Sequence, residues 1–100
     1  MNSRDCFELP GGRICRISGI DIMSTTFQGV MYKGRFVPVE LAKARMKDDG
    51  LNDDEIATRA SRTWWGFTLT MRGGTEVPVI GETQVGIEGW HHQLKGIMLN

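Results

Sequence analysis

The sequence predicts an α+β domain: a mostly antiparallel β-sheet with two short helices packed on one face. Three observations carry this expectation. Short runs of alternating or β-branched residues flank turn-forming pairs near residues 11, 34 and 73. Between them, residues 38–66 show helical spacing with start and stop signals. The chain has 100 residues, 40% hydrophobic and 24% charged, which suits one small globular core covering residues 1–100.

The elements follow in order. Cys6 to Leu9 and Arg13 to Ile22 read as strands around Pro10-Gly11-Gly12. A Pro10-Gly11 turn would set Cys6 opposite Cys15. A Gly11-Gly12 turn would set Leu9 opposite Ile14, and suits the strand twist better. Ser24 to Thr26 is a loop. Phe27 to Tyr32 and Arg35 to Val37 form a hairpin turning at Lys33-Gly34, with Met31 opposite Phe36 and Val30 opposite Val37. The first helix spans Pro38 to Lys47, proline suiting a first turn, and Gly50 stops it. In the second, Asn52 is the N-cap, Glu55 closes a capping box and Leu51 staples onto Ile56. Its inner stripe is Ile56, Ala60 and Trp64, and Gly66 ends it. Phe67 to Met71 and Thr75 to Ile80 then flank Gly73-Gly74 as a hairpin, with Pro78 confined to an edge or a bulge. Gln84 to Glu88 and Leu94 to Leu99 read as a last strand pair around Gly89-Trp90-His91-His92.

Catalytic patterns are missing from the sequence. On a strand, His91 and His92 would point to opposite faces, so no metal site is expected from them. Neither Cys6 nor Cys15 lies in a C-x-x-C pair, and two reduced thiols are the expectation. Ser24, Thr25 and Thr26 sit in no nucleophile elbow, and the 13 glycines form no phosphate-binding loop. No catalytic residue, metal or cofactor is expected, and the chain reads as a non-enzyme. Residues 1–9 contain no apolar signal core and no run is long enough to span a bilayer, so a cytoplasmic protein without membrane contact is expected.

Charge is distributed unevenly although twelve basic residues balance twelve acidic ones. Residues 1–47 carry a net +4, residues 48–55 a net −5 and residues 56–100 a net +1. The acidic segment holds Asp48, Asp49, Asp53, Asp54 and Glu55. Two helices joined by a short turn suggest a helix-turn-helix, the alternative reading being a small DNA-binding phage regulator. Three carboxylates at the start of the second helix oppose that reading, since phosphates would repel them. Docking of the acidic knob into a basic groove on a partner accounts for the pattern better. On the second helix, Trp64 belongs with the core stripe. Trp65 then faces outward beside Arg59 and Arg62, residue types that often dominate interfaces. Asp48, Asp49, Asp53, Asp54, Glu55, Arg59, Arg62 and Trp65 are therefore the expected partner-binding residues.

Two resemblances sharpen the expectation. The segment Tyr32-Lys33-Gly34-Arg35-Phe36, followed by Val39-Glu40-Leu41-Ala42, resembles the openings of small phage DNA-binding modules. Across its whole length, the chain is similar in profile to anti-CRISPR proteins, small phage inhibitors that share no diagnostic motif. That resemblance implies an inhibitor in the host bacterial cytoplasm that binds a Cas effector and blocks target DNA recognition. Type I ribonucleoprotein complexes are the favoured target, because their long basic channels offer grooves to an acidic knob. The partner would be a host protein or ribonucleoprotein, not free DNA. A structural phage component is the third reading.

Overall fold

The computed structural model describes residues 5–98. Two sheets and three helices form in the order β1 (Cys6–Glu8), β2 (Ile14–Arg16), β3 (Ile20–Met23), β4 (Phe27–Tyr32), β5 (Arg35–Pro38), α1 (Val39–Asp48), α2 (Asp53–Ala60), β6 (Trp64–Met71), β7 (Glu76–Gly81) and α3 (Gln84–Met98). The class is α+β, with antiparallel pairing throughout the main sheet. A third helix joins the two that the sequence predicts.

β1 and β2 make a separate two-stranded sheet in which Phe7 faces Cys15 and Cys6 faces Arg16. Neither expected two-residue turn forms. The Leu9 N–H donates to the Arg13 carbonyl at 2.6 Å, leaving Pro10, Gly11 and Gly12 as a three-residue loop. Both glycines take positive φ, which the loop requires. Adjacent strand residues point to opposite faces, so this register separates the two thiols, and both cysteines are free. Burial pushes the Cys15 thiol up from its ordinary value. The long strand expected from Arg13 to Ile22 is broken by a 3-10 turn over Ile17–Gly19. Asp5 holds that turn: its carboxylate accepts from the Ser18 N–H and hydroxyl, both at 2.9 Å, and from Arg16 Nε at 3.1 Å.

β6 is the centre of the five-stranded sheet. β7 runs along one edge, and β3 and β4 follow each other along the other. Ser24 bridges the gap between β3 and β4, its N–H donating to the Thr68 carbonyl and its hydroxyl accepting from the Thr68 N–H. Pro78 is tolerated because β7 is an edge strand, as expected. The β4–β5 hairpin has the expected register, Val30 opposite Val37 and Met31 opposite Phe36, with Lys33 and Gly34 at positive φ.

The sheet curls on its uncovered face. Phe36 stacks on Phe27 with ring centroids 4.6 Å apart, and Arg35 forms an ion pair with Glu76 of β7. Gly66 makes that close approach possible. A Cβ there would lie 2.5 Å from the Val79 carbonyl oxygen and 2.8 Å from Phe36 Cε2.

Strand alternation puts the helices on the opposite face, over two apolar patches. The larger holds Phe7, Leu9, Phe67, Leu69, Val79, Ile87 and Leu94 under α3. The smaller holds Val30, Tyr32, Val37, Ala42 and Met46 under α1, with Leu51 and Ile56 of the α2 region packed against it. Burying each large aliphatic chain contributes roughly 1.5–3 kcal/mol.

The residues read as a terminal strand pair form one helix, α3. Leu99 lies outside the described residues. Thr83 starts the helix, its hydroxyl accepting from the Gly86 N–H at 3.2 Å. Ile87, Trp90, His91, Leu94 and Met98 recur at helical spacing, and Ile87 and Leu94 are fully buried. Burial along this stripe offsets glycines 86, 89 and 96, each costing a helix about 1 kcal/mol against alanine. His91 is therefore structural, not a turn residue. Its ring meets Phe67 edge-on at 5.0 Å, and its Nε2 donates to the Ser24 carbonyl at 2.9 Å. No helix among the described residues is long and apolar enough to cross a membrane.

Candidate functional site

The α1–α2 elbow is built by local sequence signals. At the end of α1 the Leu51 N–H donates to the Met46 carbonyl and the Gly50 N–H to the Lys47 carbonyl, each at 3.0 Å. Gly50, at φ +89, turns the chain as a glycine just past a helix does. Two residues later Asn52 caps α2. Its side chain accepts from the Glu55 N–H at 2.8 Å, while the Glu55 carboxylate accepts from the Asn52 N–H at 3.1 Å. The expected capping box is present.

This construction sorts the five acidic residues. Asp49 is engaged: its carboxylate accepts from the Tyr32 hydroxyl at 2.5 Å and pairs with Lys33 Nζ at 2.9 Å. Those two hydrogen bonds hold the Asp49 carboxyl below its usual range and raise Tyr32 and Lys33 above theirs. Glu55 is committed to the cap. Asp48, Asp53 and Asp54 are exposed and make no ion pair among the described residues. The acidic surface is thus a fixed elbow of three free carboxylates, with Glu55 beside them.

The arginines gather elsewhere. α2 ends at Ala60, so the expected continuation through Trp64 and Trp65 does not occur. Both tryptophans begin β6, where neighbours point to opposite faces. Trp65 packs against the larger core, not outward beside the arginines. Trp64 takes the place expected of Trp65: the Arg62 guanidinium lies over its ring at 4.9 Å. Arg59, Arg62 and Trp64 line an open cleft of about 450 Å³ with Met31, Tyr32 and Ile80. Sequence reasoning missed Trp64 because Ile56, Ala60 and Trp64 are four apart. The signal that identifies it is the period-two alternation of Trp65, Phe67, Leu69 and Met71, which makes the segment a strand.

The arrangement offers two surfaces of opposite sign, one at each end of α2. The elbow offers exposed carboxylates, and the cleft offers guanidiniums beside apolar side chains. No family model matches the chain, and neither a curated protein nor a solved structure shows significant similarity to it.

Proposed function

We propose that this chain is a non-enzymatic inhibitor that works by binding, and that the acidic α1–α2 elbow is the surface it presents. One observation carries the reading: Asp48, Asp53 and Asp54 are exposed, without an ion pair among the described residues, beside a turn fixed by a capping box, a helix-ending glycine and the Tyr32–Asp49 bond. Charges held in place before encounter lose little freedom on binding, and they steer a basic partner into register. The resemblance to anti-CRISPR proteins supplies the partner class, a Cas effector of the multisubunit type I kind, whose basic nucleic-acid channel would receive the elbow. Helix-turn-helix binding to DNA is disfavoured by the same geometry. α2 is only eight residues long, and Asp53, Asp54 and Glu55 occupy the turn that would enter the groove.

The test is a titration of the purified chain into a type I effector loaded with its guide, with labelled target duplex as the readout. Stoichiometric loss of the shifted DNA band, with no shift by the chain alone, is the expected result. Salt-sensitive binding of the chain to free duplex would reject it in favour of the regulator.

A further inference from the structure

The cleft at the other end of α2 carries a separate inference. Arg59 and Arg62 form no ion pair among the described residues, although four other cations do. Both border apolar walls supplied by Met31, Trp64 and Ile80. Met31 is 38% exposed and adds apolar surface to this cleft. The cleft is open and shares Met31, Tyr32 and Arg59 with a second hollow that reaches Leu51 and the Lys33–Asp49 pair at the elbow.

The geometry points to a docking groove for an acidic peptide segment of a partner protein, with carboxylates on Arg59 and Arg62 and an apolar side chain between Met31 and Ile80. Charge selects this occupant. Lys33, which also borders the groove, is already paired with Asp49, leaving two free cations. Two guanidiniums match one or two carboxylates, each taken in bidentate fashion. A nucleic-acid strand fits poorly for two reasons. The Trp64 ring that a base would stack on already carries the Arg62 guanidinium. The free carboxylates of the elbow stand at the far end of an eight-residue helix, about 12 Å away, where they repel a continuing polyanion. The two arginines sit at the opposite end of α2 from the elbow's free carboxylates, so binding at each is tested by separate variants.

The test uses the full chain in nuclear magnetic resonance titrations. The probes are an acetylated heptapeptide of alternating glutamate and leucine with one central phenylalanine, its lysine-for-glutamate counterpart, and a ten-nucleotide thymidine strand. Saturable shifts of the Trp64 indole N–H by the glutamate peptide alone are expected. Arg59→Gln with Arg62→Gln should weaken that binding at least tenfold, while Asp53→Asn with Asp54→Asn should leave it within about twofold. Circular dichroism of both variants should match the parent, since all four side chains are exposed. Three results would overturn the assignment: no shift with the glutamate peptide, shifts with the thymidine strand instead, or concentration-dependent dimerisation abolished by the arginine replacements.

Discussion

Trp64 and Trp65 are consecutive in β6 and lie on opposite sides of the sheet. Trp65 packs under α3 with the main core, and Trp64 lies beneath the Arg62 guanidinium on the uncovered face. One dipeptide therefore serves folding with one ring and the surface with the other. Truncating Trp65 removes part of a core and leaves a void, so Trp65→Ala should cost about 2–4 kcal/mol in urea unfolding. Trp64→Ala should cost less than about 1.5 kcal/mol, because its ring lies outside the main core and loses chiefly one cation–π contact. Equal losses would contradict the two-sided assignment.

Gly66 sits where β5 folds across the sheet. Its φ is not positive, so close approach, not backbone freedom, demands glycine there. Gly66→Ala should cost roughly 1–3 kcal/mol through overpacking against Val79 and Phe36. Gly89→Ala, at a helical position with nothing within 4 Å, should instead stabilise by up to about 1 kcal/mol. Thermal unfolding of the two variants should therefore move in opposite directions.

The capping box predicts a local effect. Asn52→Ala should lower stability by about 1 kcal/mol, with amide exchange in α2 rising more than in α3. Uniform exchange changes across both helices would mean that the elbow does not depend on its cap.

Asp49 ties the elbow to β4, and the tie is pH-dependent. Its folded carboxyl lies below the ordinary 3.8, chiefly because Tyr32 and then Lys33 donate to it. The stabilisation is therefore complete well above pH 4 and is lost as pH falls through the folded value. Asp5 is lowered as well, by the Ser18 backbone and side-chain bonds and by Arg16, and acts in the same direction. Tyr32 is raised, first by its bond to Asp49, so its contribution is whole below pH 10 and lost as pH rises through its folded value. Urea midpoints measured against pH should fall at both ends. Asp49→Asn should shrink both limbs without abolishing either, since Asp5 shares the acid limb and the buried Cys15 thiol shares the alkaline one.

Much of this architecture could be read from short-range chemistry. Lys33-Gly34 set the register of β4 against β5, Pro78 marked an edge strand, and Asn52 with Glu55 marked the start of α2. Each signal is decided within a few residues. Local preference misleads where tertiary contacts overrule it. Glycines 86, 89 and 96 disguised α3, whose stability comes from burying Ile87 and Leu94. The break at Ile17–Gly19 depends on Asp5, thirteen residues before Ser18 and across a hairpin. Of the expected binding residues, Asp48, Asp53 and Asp54 are exposed, whereas Asp49 is committed to Tyr32 and Lys33, residues that a reading along the chain does not place beside it. Trp65 exchanged roles with Trp64 because a four-residue spacing and a two-residue spacing compete at that point in the chain.

In the proposed function, free carboxylates on a rigid elbow capture a basic partner. The most direct measurement is the affinity of Asp48→Asn, Asp53→Asn, Asp54→Asn for a guide-loaded type I effector, compared with the parent across a range of salt. A loss of at least tenfold at low salt, with a shallower salt dependence and an unchanged melting temperature, is the predicted result. Unaltered affinity and an unaltered salt slope in a folded triple variant would contradict it.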